Sequence, residues 1–81
     1  MSIRYDTNVR HQGEIFRITT EVVVPGRILT QLLSAADVVL VTRMSLGEDK
    51  ERMQSMHKEM FHALSHGQLG EALRLHGRTT S

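Results

Sequence analysis

Eighty-one residues leave room for one small domain, and such a chain buries only roughly 60–65% of its extended-state surface. Forty per cent apolar and 23% charged residues are globular proportions, and a formal net charge of +1 gives no bulk pull toward nucleic acid or an anionic membrane. The absence of cysteine excludes disulfides, thiolate metal sites and cysteine nucleophiles together, and favours a cytoplasmic setting.

The first twenty-four residues alternate. Ile3, Tyr5, Thr7 and Val9 fall on one side of an extended chain, with Arg4, Asp6, Asn8 and Arg10 on the other. His11-Gln12-Gly13 interrupts the pattern with a residue that tolerates positive φ. Alternation then resumes, setting Phe16, Ile18, Thr20, Val22 and Val24 against Ile15, Arg17, Thr19, Glu21 and Val23. Two such runs around a glycine turn predict a β-hairpin with one apolar face, and a bare hairpin needs a cover.

Pro25 suits the first turn of a helix. Spaced at 100° per residue, Ile28, Leu29, Leu32, Leu33, Ala35, Ala36, Val39 and Leu40 form one apolar arc of about 160°. The arc predicts a helix over about 25–40, although the β-branched run at 38–42 also fits a third strand after a shorter helix. Ser45 with Glu48 three places on has capping-box spacing, and acidic residues follow in the next turn. A long second helix is expected from there to His66, stopped by Gly67. A short third helix over 71–76 and a frayed 77–81 tail complete the prediction. The expected fold is therefore α+β: an N-terminal β-hairpin packed on two long helices plus a short C-terminal helix, in one domain over 1–76. The N-terminus has no apolar stretch resembling a secretory signal, and the longest apolar run is far too short to span a membrane.

On the second helix, Met53, Met56, Met60, Ala63 and Leu64 share an arc, with His57 inside it and Phe61 at its edge. Methionine packs adaptively and is common where proteins meet partners. A rod of about 30 Å beside so small a core leaves part of this arc open, and a two-fold partner is the simplest cover. Met53, Met56, His57, Met60 and Phe61 are accordingly the candidate partner-binding residues of a homodimeric regulatory or adaptor protein that also docks another protein. A half-buried His57 would make such an association pH-sensitive.

Three other chemistries are weighed. No nucleophile elbow, phosphate loop or paired-carboxylate constellation occurs, so the chain is read as a non-enzyme without cofactors. Glu59, His62 and His66 share one polar helix face at a spacing that suits zinc. The order strand–helix–helix over roughly 14–66 resembles ribbon–helix–helix repressors, which implies DNA binding through paired strands. Arg17, Thr19 and Arg27 are the residues of this chain that the resemblance would employ.

Overall fold

The computed structural model describes residues 4–70. Four strands, β1 (Arg4–His11), β2 (Glu14–Val24), β3 (Arg27–Ser34) and β4 (Val39–Leu46), precede one helix, α1 (Lys50–Ser65). The strands form an antiparallel meander in the order β1-β2-β3-β4, and α1 packs across one face on β1, β2 and β3.

The hairpin expected at the start is present. Its loop is the two-residue Gln12-Gly13, with φ of 52° and 82°, between the paired His11 and Glu14. Positive φ at both central positions matches the right-handed twist of the flanking strands.

The helix expected over 25–40 does not form. Pro25-Gly26 is instead the turn of a second hairpin, with Gly26 at φ 82° and Val24 paired to Arg27. Proline followed by a positive-φ glycine fits a type II turn, whose twist splays the strands it joins. A register shift between Val22 and Val24 takes up the mismatch. The apolar pairs Ile28-Leu29 and Leu32-Leu33 imitate a helical stripe. In the sheet they occupy opposite faces of an inner strand, with Ile28, Thr30 and Leu32 toward the helix and Leu29, Gln31 and Leu33 away. The run at 38–42 is strand. Asp37, at φ 64°, makes the turn before it, and the Ser34 hydroxyl accepts hydrogen bonds from the Ala36 and Val38 amides. Among the described residues the architecture is thus a four-stranded sheet with a single 16-residue helix, which replaces the expected pair of long helices.

The helix begins later than the capping-box spacing suggests. Asp49 is the N-cap and its carboxylate accepts the Arg52 amide at 3.1 Å, while Ser45 lies in β4. Glu48 reaches across to accept the Gly26 amide at 2.6 Å, tying the helix entry to the β2–β3 turn. The other end closes as expected. Gly67 has φ 73°, the Gln68 amide donates to Ala63 and the Gly67 amide donates to Leu64, a Schellman arrangement. The helix expected over 71–76 and the 77–81 tail lie outside the described residues.

The core sits between α1 and the row of side chains it covers. Val9, Phe16, Ile18 and Leu32 meet Met60, Ala63, Leu64 and Leu69, while Ile28 meets Met53 and Met56. Met53 and Met60 are 1% and 0% exposed, and Met56 is 8%. The methionine row is therefore core, enclosed by a sheet twice as wide as the expected hairpin. Phe61 is 46% exposed and stands outside it. Met60→Ala is expected to cost about 2–5 kcal/mol in urea unfolding, and Phe61→Ala about 0.5 kcal/mol or less. Equal losses at the two positions would contradict this division.

Candidate functional site

Two features stand out beyond the core: a polar chain that runs from the surface into the sheet, and a strand that the helix covers only at its margin. The chain runs from the edge of β1 to the middle of β3. Thr7 Oγ1 lies 2.9 Å from His57 Nε2, His57 Nδ1 lies 2.9 Å from Thr20 Oγ1, and Thr20 Oγ1 lies 2.9 Å from Thr30 Oγ1. Thr20 and Thr30 are 0% and 1% exposed, so their hydroxyls depend on protein partners. One arrangement of protons makes all three bonds and also uses the buried Thr30 hydrogen. Thr30 donates to Thr20, Thr20 donates to His57 Nδ1, and the Nε2–H of a neutral ring donates to Thr7. A proton added at Nδ1 reverses the chain and leaves the Thr30 hydrogen without an acceptor, because Thr20 is its only hydrogen-bond partner among the described residues. Such an orphan costs about 1–3 kcal/mol. Burial correspondingly lowers the His57 pKa from its ordinary 6.5, and Asp6 opposes the shift only in part.

Thr7 beside His57 has the outline of a nucleophile and base, but the satisfied arrangement aims a proton, not a lone pair, at Thr7. The base is oriented by a neutral hydroxyl that offers no charge to an imidazolium. An open depression among the described residues is lined by Asn8, Ile15, Phe16, Arg17, Ser34, Ala35 and Asp37, a set that includes neither Thr7 nor His57. We therefore assign His57 a structural part. It bridges the two apolar clusters, with Tyr5 stacked obliquely at 5.9 Å and held in turn by Gln54.

The second feature comes from dimensions. A helix about 10 Å across covers two strand spacings of about 4.8 Å, which is three strands. The helix lies over β1–β3, so β4 falls at its margin. Only the first residues of α1 reach it, where the Arg52 guanidinium donates to the Ser45 hydroxyl at 2.8 and 3.2 Å. Leu40 and Val41 lean on the core. On the other face, Val39, Met44 and Leu46 are 47%, 58% and 68% exposed.

That uncovered face has two unlike halves. Arg4, Asp6, Asn8, Arg10, Arg17 and Glu21 occupy the β1–β2 half, together with the exposed Ile15 and Val23 at its two ends. A chain of ion pairs crosses it, from Arg4 to Asp6 at 3.6 Å, Asp6 to Arg17 at 3.8 Å, and Arg17 to Asp37 at 3.1 Å. This half is the more charged of the two. The β3–β4 half carries Leu29, Val39, Met44 and Leu46, with Leu33 buried at 7% exposure. The two outer edges differ in the same sense. β1 presents Arg4, Asp6 and Arg10, charges that blunt an edge against pairing, while β4 carries Arg43 alone.

The residues singled out from the sequence are dispersed. Of the partner-binding set, Met53, Met56 and Met60 are core, His57 belongs to the threonine chain, and Phe61 is exposed on the helix. With 27–46 formed as two strands, the ribbon–helix–helix order is absent. Arg17 is ion-paired, Thr19 is 4% exposed, and Arg27 sits at the far end of β3, about 20 Å along the strand direction from Arg17. Glu59, His62 and His66 do not converge. The two imidazoles stack at 3.9 Å, His66 Nδ1 lies 3.1 Å from the His62 carbonyl, and no three metal-ligating side chains gather among the described residues. Among the described residues no helix is long and apolar enough to cross a membrane.

The bare face of β4 was missed because its sign is the lack of a neighbour, which the residues themselves do not carry. The polar chain had a visible sign in Thr7 and Thr20, hydroxyls set in the apolar row of the hairpin. Comparison with family models, curated proteins and solved structures finds no match.

The histidine assignment fixes a pH dependence. Because His57 has a lowered pKa when folded, the unfolded chain binds more protons near and below pH 6.5. Stability is expected to be level above 6.5, to fall as pH drops through it, and to level again below the folded value. Urea midpoints of wild type and His57→Gln, compared from pH 8 to 4.5, isolate this contribution. A wild-type curve that rises relative to the variant on acidification would contradict it.

Proposed function

We propose that this protein is a small non-enzymatic interaction module, regulatory or adaptor in kind, that docks a protein partner along β4. The observation that carries this reading is the apolar set Val39, Met44 and Leu46, exposed on the face of β4 turned away from the helix. Exposed apolar residues that cluster on one element mark interaction sites, whereas scattered ones need no explanation. A strand edge adds a second recognition element, since its outward amides and carbonyls can pair with an incoming strand. The docking surface thus moves from the methionine face of the helix, which is buried, to the strand beside it.

A nucleic-acid surface has less support. The ion pairs of Arg17 leave it little charge to offer phosphate, and Arg27 stands too far away to act with it. A cytoplasmic setting rests on the cysteine-free composition.

A photo-crosslinking residue placed at position 44, and in a second protein at position 10 on β1, tests the reading in cells that make the protein natively. A protein adduct of defined mass at 44 and none at 10 is expected. Absence of an adduct at 44, or the same adducts at both positions, would overturn it.

A further inference from the structure

We propose that Met44 is a reversible oxidation site, at which a peroxide converts the thioether to the sulfoxide while the fold stays intact. Two independent observations single it out. The chain has no cysteine, so no thiolate competes for the oxidant and sulfur chemistry falls to methionine. Of the methionines among the described residues, Met44 is 58% exposed, whereas Met53, Met56 and Met60 belong to the core.

Placement in the fold makes this difference. Met44 stands opposite Leu29 on the face of the sheet turned away from α1, so its side chain reaches solvent while strand pairing holds its backbone. Met53 and Met56 close on Ile28, and Met60 sits among Phe16, Ile18 and Leu32. A thioether so enclosed meets an oxidant only when the structure opens around it.

The reaction needs nothing beyond the side chain and the peroxide. The Met44 sulfur attacks one oxygen of hydrogen peroxide, the S–O bond forms and the O–O bond breaks. The departing hydroxide takes the proton from the transferred oxygen and leaves as water. Sulfur is oxidised by two electrons and the peroxide is reduced. A dithiol-dependent sulfoxide reductase reverses the change: the oxygen leaves as water and the dithiol becomes a disulfide.

The consequences differ by position. A sulfoxide is a polar acceptor that water can satisfy at Met44, so the fold bears no desolvation cost there. The same group at Met53 or Met60 would be a polar atom buried among hydrocarbon, which is destabilising. Oxidation at Met44 therefore changes the surface and spares the core. It gives the apolar set Val39, Met44 and Leu46 one member whose polarity can be switched and restored. The modification is a property of the chain itself and stands whether or not β4 docks a partner.

The test is a time course of the folded protein in dilute hydrogen peroxide, followed by proteolysis and mass spectrometry. Peptide mapping distinguishes Met44 from Met1. Met44 should gain one oxygen at least roughly ten times faster than Met53, Met56 or Met60, and in urea the four rates should become equal. The singly oxidised protein should keep its urea midpoint. Its retention on a hydrophobic-interaction column should shorten more than that of Met44→Leu treated alike, and a sulfoxide reductase with a dithiol should restore it. Oxidation of Met53, Met56 or Met60 as fast as Met44 in the folded protein would overturn the proposal. So would a urea midpoint lowered by oxidation at Met44 alone, or a Met44 sulfoxide that the reductase leaves unchanged.

Discussion

A single helix can cover three strands, and this chain builds four. Much else in the molecule follows from that mismatch in width. The covered strands supply a closed core in which three methionines, two threonines and a histidine all find partners. The fourth strand finishes the sheet but receives only a lean from Leu40 and Val41 and a pair of hydrogen bonds from Arg52. The apolar side chains it turns away from the helix have no cover within the described residues.

The two faces of the sheet deal with polarity in opposite ways. On the helix side, the buried threonine hydroxyls and His57 are joined in one chain that favours the neutral histidine. A chain whose buried hydroxyls are both paired rigidifies the site, because moving one member strands the others. On the open side, β1 and β2 keep their charges in water, where ion pairs add little stability but maintain solubility. The apolar strip begins where that charged half ends. The boundary runs between β2 and β3, and Thr19 and Gln31 straddle it as paired neighbours.

About half of the fold is legible in the residues. The β1–β2 hairpin is, because one apolar row faces one polar row over two strands. So is the body of α1, whose apolar arc at 53, 56, 60, 63 and 64 matches its buried face. The middle of the chain is not, for a physical reason. An inner strand of this sheet is apolar on both faces, and Thr30 interrupts the row that should have shown a period of two. Ile28-Leu29 and Leu32-Leu33 then fall at helical spacing. Pro25-Gly26 carries both a helix-start and a turn signal, and only the partner strand decides between them. The bulge at Leu40 breaks the alternation of β4, so neither Met44 nor Leu46 stands out from its neighbours. That the methionine stripe is buried depends on the width of the sheet above it, which is a property of the whole chain.

The central claim, that one helix covers three strands and leaves the β4 edge open, is most directly tested by backbone amide exchange measured residue by residue in dilute solution. Inner-strand amides of β2 and β3 should exchange slowly. Alternate amides within Val41–Leu46 should exchange nearly as fast as a turn. Amides of β4 as protected as those of β2 would contradict the account.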